Sequence, residues 1–184
     1  MLSDLELLAR SVQEPVAFAT VYERHGHAVR RYVFRRVGSE PGEDLAAEVF
    51  ARAFRARTRY RAEGDSVLPW LLGVANHVIA DHRRAERRRL KALASLAATT
   101  PHLIEHEDHE LGANLVRELR RLSDPDRDAL LLVVWGELSY REAATALDVP
   151  VGTVSSRVAR ARRVLAAALD PPTPPKLAMG ATHD

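Results

Sequence analysis

The sequence predicts an all-α chain of two small helical domains joined by a linker, the C-terminal one a four-helix helix-turn-helix domain. Three observations carry this reading. No stretch alternates apolar and polar residues with period two, whereas apolar residues recur at helical spacing through most of the chain. The periodicity weakens over residues 92–112, where SLAATTPHLIEHEDHELG is polar and acidic and contains Pro101. Beyond it, ELSYREAATALDVPVGTVSSRVARARRVL reads as two helices around a tight turn, the second rich in arginine. The expected units are therefore 1–91, a linker over 92–112, 113–170, and a proline-rich tail over 171–184 that is expected to be disordered.

Composition narrows the function. Hydrophobic residues make up 46% of the 184, enough for a buried core, and cysteine is absent. That excludes a disulfide framework, a thiolate metal site and a cysteine nucleophile. No apolar run approaches the ~20 residues of a membrane span, and the acidic start MLSDLELLAR is unlike a signal peptide. A soluble cytoplasmic protein is expected. Net charge is only +2, but its distribution is uneven. Arg83, Arg84, Arg87, Arg88, Arg89 and Lys91 form one cationic patch, Arg157, Arg160, Arg162 and Arg163 another, with Glu105, Glu107, Asp108 and Glu110 between. Two basic patches point to two sites on a polyanion, and arginine suits planar phosphate and guanine contacts.

The elements follow in order. Leu2 to Arg10 predicts a short helix, and Pro15 suits the first turn of the next, with Gly26 as an expected break. Ser39-Glu40-Pro41-Gly42 reads as a loop, after which Glu43 and Asp44 place negative charge at the positive end of a helix dipole. That helix turns Leu45, Val49, Phe50, Ala53 and Phe54 inward, and Asp44, Glu48, Arg52 and Arg55 outward. Thr58 to Val67 is a polar break. Pro69 starts a long helix with Trp70, Leu71, Val74, Val78 and Ile79 on one stripe, turning cationic after Asp81. Trp70 is expected in the core, and Asp81 is expected to orient arginines. After the linker, Asn114 to Leu122 is helical, Ser123 caps the next helix and Gly136 is expected to end it. Tyr140 to Leu147 follows, closed by Asp148 in the left-handed region, which Asp tolerates better than most.

In the last helix, opened by Gly152 or Thr153, Val154, Val158, Ala161 and Leu165 share one arc, while Gly152, Ser156, Ala159, Arg160 and Arg163 share the opposite one. A helix entering the major groove needs that combination of little bulk, short donors for base edges and cations for phosphate. An ordinary amphipathic surface helix is the competing reading.

The segments FATVYERHGHAVRRYVFRRVG, EDLAAEVFARAF, WLLGVANHVIADHRR and LSDPDRDALLLVVWGELSYREAATALDVPVGTVSSRVARARRVL together resemble bacterial RNA polymerase sigma factors of the extracytoplasmic-function group. The resemblance covers roughly residues 15–90 and 113–169, and implies a non-catalytic subunit for promoter-specific initiation. Its partners would be core RNA polymerase, promoter DNA and, in many such systems, an anti-sigma factor. Carried over, Asp44, Leu45, Glu48 and Arg52 would dock on the polymerase. Arg61, Asn76, His77, Arg83, Arg84 and Arg87 would take the melted −10 element. Ser155, Ser156 and Ala159 would meet base edges of the duplex −35 element, with Thr153, Arg157, Arg160 and Arg163 on phosphates. Asn76 reads equally as a structural residue, and Arg157 could instead pair with Glu142. The sequence departs from the common pattern at Ser155, where a basic residue is frequent, and at Asp148, where glycine is.

Two other readings compete. A free-standing helix-turn-helix regulator would use the second domain without polymerase. An enzyme finds little support, since no Gly-rich phosphate loop or placed acid–base pair is present. His102, Glu105, His106, Asp108 and His109 have helical metal-ligand spacing but sit in an acidic linker, so neither a metal nor a cofactor is expected.

Overall fold

The structure, a computed structural model, describes residues 2–60, 64–96 and 110–169. Among them are eight α-helices, one 3₁₀ turn and no strand. The order is α1 (Asp4–Arg10), α2 (Ala17–Val37), α3 (Ser39–Ala56), the 3₁₀ turn Arg57–Arg59, α4 (Leu68–Leu96), α5 (Glu110–Arg121), α6 (Asp124–Val134), α7 (Tyr140–Leu147) and α8 (Val151–Leu169). The all-α expectation and the four helices of the second half hold.

Several boundaries differ from the sequence reading for local reasons. Helix α2 runs straight through Gly26, which is buried where Tyr22 covers it. The expected loop at Ser39 to Gly42 is already the first turn of α3, because Pro41 falls where its missing N–H costs nothing. The turn is made one residue earlier, by Gly38 at φ +86°. Likewise Gly136 does not carry the backbone reversal after α6; Glu137 does, at φ 57°. Helices α4 and α5 reach to Leu96 and back to Glu110, so both trespass on the linker assigned over 92–112. Asp148 adopts the left-handed conformation as expected, at φ 51° and ψ 51°.

Capping follows side-chain chemistry. Ser3 with Glu6 and Ser139 with Glu142 each form a capping box, satisfying the first donors of α1 and α7. Ser123 accepts from the Asp126 N–H and starts α6. Helix α1 is then anchored by Asp4, whose carboxylate receives Arg24 (3.0 Å), His25 (2.6 Å) and the Val67 N–H (3.2 Å). Burial alone would raise the Asp4 pKa, but these hydrogen bonds outweigh it and hold the acid below its ordinary value.

Helices α1 to α4 form one bundle and α5 to α8 another, but the two are not separate. Helix α4 packs along α7, and one apolar cluster runs from Leu7, Val29 and Val49 through Leu71, Leu72 and Val78 to Leu132, Leu138, Ala143 and Val154. Each fully buried side chain of this kind contributes about 1.5–3 kcal/mol. The crossing is close because α4 presents Gly73 there: a Cβ at that position would lie 2.5 Å from the Ala146 backbone oxygen of α7. The sequence reading took the halves as two domains joined by a linker; in the structure the described residues of both share one apolar cluster.

Candidate nucleic-acid and partner interfaces

Helix α8 is built as its periodicity requires. Val154, Val158 and Ala161 are fully buried against α6 and α7, and Leu165 is half-buried. Gly152, Ser155, Ser156, Ala159, Arg160 and Arg163 are exposed, with Thr153 and Arg157 at the margins. Ser156 donates to the Thr153 carbonyl oxygen at 2.9 Å. Arg160 is exposed at its tip yet forms a forked pair with Asp126 of α6, at 2.8 and 2.9 Å. That pairing holds the Asp126 carboxyl below its ordinary pKa. Glu142 closes its capping box with Ser139, accepting from the Ser139 N–H at 2.8 Å.

The α4 surface divides along its length. His77 and Arg87 are exposed, and Arg84 is exposed but ion-paired with Asp81. Asp81 also accepts from Arg52 at 2.5 Å, and so orients two arginines as expected. Trp70 is half-buried on the core stripe with Tyr60, ring centroids 4.7 Å apart. Arg61 and the His/acid cluster from His102 to His109 lie outside the described residues.

Asn76 takes the structural of its two readings in this arrangement, because it is buried and does not face solvent. Its Oδ1 accepts from the Tyr32 hydroxyl (2.7 Å) and from Arg36 (2.9 Å), and Arg36 continues to Asp128 of α6 at 2.5 Å. Burial pushes the Tyr32 phenol up to about 12. Arg83 is half-buried beside this network and donates to the Arg36 carbonyl oxygen at 3.2 Å. Burial and the neighbouring charges of Arg36 and Arg127 lower its pKa to about 10. Arg36, Tyr32 and Asp128 were not singled out from the sequence. A signal existed: Val29, Tyr32, Val33 and Arg36 share one helical arc, so a polar side chain sits on a buried stripe and requires a partner.

On α3, Asp44 is exposed and Leu45, Glu48 and Arg52 are half-buried. Glu48 accepts from Arg52 at 2.7 Å, and Arg52 bridges on to Asp81. Glu48, Arg52 and Asp81 thus form an ordered charge chain beside Asp44 and Leu45.

Two segments match known families: residues 21–89 match Sigma-70 region 2, and residues 113–165 match Sigma-70, region 4. A "Probable RNA polymerase sigma-C factor" of Mycobacterium bovis is 42% identical over 139 residues, 73% of this chain and 72% of that one. The "ECF RNA polymerase sigma-E factor" of Escherichia coli K12 is 31% identical over 176 residues, 87% of this chain and 91% of its own. In solved structures, the sigma factor RpoE of Bartonella quintana, in complex with the anti-sigma factor NepR, has the same fold. Its TM-score is 0.63 at 21% identity, covering 86% of this chain and 99% of that one. With regions 2 and 4 in order on the two halves just described, the chain belongs to the extracytoplasmic-function sigma factors of the sigma-70 family.

Proposed function

We propose that the chain confers promoter specificity on core RNA polymerase, docking through α3 and contacting the promoter at both the −10 and −35 elements. The observation that carries this is the presence of two surfaces of nucleic-acid type, on α4 and α8, within one chain that has both sigma-70 regions. On α8, Ser155, Ser156 and Ala159 meet base edges, while Thr153, Arg157, Arg160 and Arg163 serve the backbone. On α4, His77, Arg83, Arg84 and Arg87 take the unpaired −10 strand together with Arg61, and Asn76 supports them from beneath. Cations beside a shaped surface are what a single strand requires. Asp44, Leu45, Glu48 and Arg52 form the polymerase-docking face, whose alternating charge suits a coiled-coil partner.

The functional units are taken as 1–91, with 92–112 as linker, 113–170 and the tail 171–184. The chain contributes no catalysis of its own and works in the cytoplasm, where the polymerase is; among the described residues no helix is long and apolar enough to cross a membrane. The packed arrangement half-buries Arg83, so engaging the −10 strand requires α6 to leave that face. An anti-sigma partner is a natural regulator of this chain, since one is bound to the structurally similar Bartonella protein.

In vitro transcription tests the proposal. Core polymerase plus this chain should give promoter-dependent transcripts, and core alone should not. Transcription that appears only when a separate sigma factor is added would reject the reading in favour of a free-standing regulator.

A further inference from the structure

Between the halves lies a cleft that shares Arg83, Arg84 and Arg87 with the −10 surface but adds buried groups of α2 and α6 to which promoter recognition assigns no ligand. Arg36, Asn76, Arg83, Arg84 and Arg127 line it together with Asp128, and the full lining holds five guanidinium groups against two carboxylates. The carboxylates are already taken: Asp128 by Arg36, and Asp124 by Arg127. Arg83 has only a neutral acceptor, the Arg36 carbonyl oxygen. Arg84 is paired with Asp81 outside the lining and Arg87 is exposed, so the uncompensated cation where water is partly excluded is Arg83, a costly arrangement without a counter-charge.

The hydrogen-bond ledger leans the same way. Three buried donors on cleft-lining residues have no acceptor: Asn76 Nδ2, Arg36 Nε and Arg127 Nε. Asn76 is only 6% exposed. Its amide cannot be turned to cure the deficit, because Oδ1 already accepts from Tyr32 and Arg36, and a flip would set donor against donor. Unpartnered donors together with an uncompensated cation call for an acceptor that is itself anionic. Guanidinium forks fit the oxygens of a phosphoryl group in particular.

We propose that this cleft binds a small free phosphorylated anion, of phosphate to pyrophosphate size, held by Arg83 and Asn76 of α4 and Arg127 of α6. Because its partners come from both halves, the bound anion stabilises their packed arrangement over any in which α6 has moved away from α4. The site shares Arg83 with the proposed −10 surface, and Arg127 of α6 distinguishes the two, because it lies outside that surface.

The test is calorimetric titration of the full chain with sodium pyrophosphate, and in parallel with inorganic phosphate, at ionic strength held constant with sodium chloride. Saturable binding at one site is expected, weakened about tenfold or more by Arg127→Gln through loss of a charge-assisted contact. Arg141→Gln, which removes the same charge from the exposed face of α7, should leave affinity within about twofold. If Arg127→Gln fails to fold by circular dichroism, Arg83→Gln is read in its place against the same control. Absence of saturation, or equal weakening by the cleft and control variants, would overturn the proposal. So would Arg127-dependent binding of a single-stranded oligonucleotide with no saturation by either free anion, which would give these arginines to a DNA backbone instead.

Discussion

Helices α4 and α8 are both amphipathic and arginine-rich, yet the structure treats them in opposite ways. The outer face of α8 is open from Gly152 to Arg163, and its inner face is filled by Val154, Val158 and Ala161. Its local periodicity accounts for which of its faces is open, and the Arg160 pair with Asp126 of α6 is added by packing. Helix α4 has a comparable stripe and a denser run of arginine, but α2 buries Asn76 through Tyr32 and Arg36, and the second half packs along α4 and half-buries Arg83. A binding surface can therefore be read from one helix when that helix touches neighbours on one side only. It cannot when a distant segment returns to cover the other side.

Breaking the junction should have the largest effect. Asp128→Ala leaves Arg36, whose side chain is 2% exposed, without its carboxylate. Removing one partner of a buried pair costs about 3–5 kcal/mol. Chemical denaturation should show a loss of that order, while Asp128→Asn, which retains an acceptor, should lose less. Equal losses would mean that the charge of Asp128, rather than its shape or acceptor oxygen, holds Arg36.

Gly73→Leu probes the same junction by volume. Within α4 alone the change favours helix by up to ~1 kcal/mol, but against the Ala146 oxygen it overpacks at a cost of about 1–3 kcal/mol. Because the chain has no cysteine, dye labels at Glu23→Cys and Arg162→Cys can report the distance between halves. Energy transfer should fall in Gly73→Leu, and binding of a −10 single strand should strengthen as Arg83 is uncovered. Unchanged transfer with unchanged strand binding would show that the two halves do not compete with DNA for α4.

On α8 the effects should be smaller and should not pass through the junction. Arg163→Ala in the polymerase complex should weaken −35 duplex binding across sequences and reduce the salt slope by about one. Binding of −10 single strand should be unaffected; if it weakens equally, the two surfaces are not separable. Ser155→Ala should have the least effect, altering preference at one −35 base pair by about 1 kcal/mol or less. Competition among single-base-pair variants of the promoter would reveal it.

Much of this molecule was legible in advance. The absence of period-two patterning, the arcs of α8 and the left-handed turn at Asp148 follow from local rules, because each depends on residues within a few positions; Asp81 meets Arg84 by such a rule but Arg52 only through packing. The helix starts at Ser39 and Glu110 were misplaced by propensity and polarity, which mark boundaries weakly. Glu137, rather than Gly136, took the positive φ. That exposed residue then places its carboxylate 2.8 Å from Arg31 of α2.

What local pattern could not supply is the pairing of surfaces far apart in the chain. Arg36 with Asp128, Arg31 with Glu137, and Gly73 beneath Ala146 are all contacts between the halves. Periodicity records that a side chain faces inward, not which distant segment it will meet. Helical amphipathicity was therefore enough to establish the class of fold and the open face of α8. The burial of Asn76 against Tyr32 and Arg36 of α2, and the packing of α4 along α7, are long-range choices made by packing.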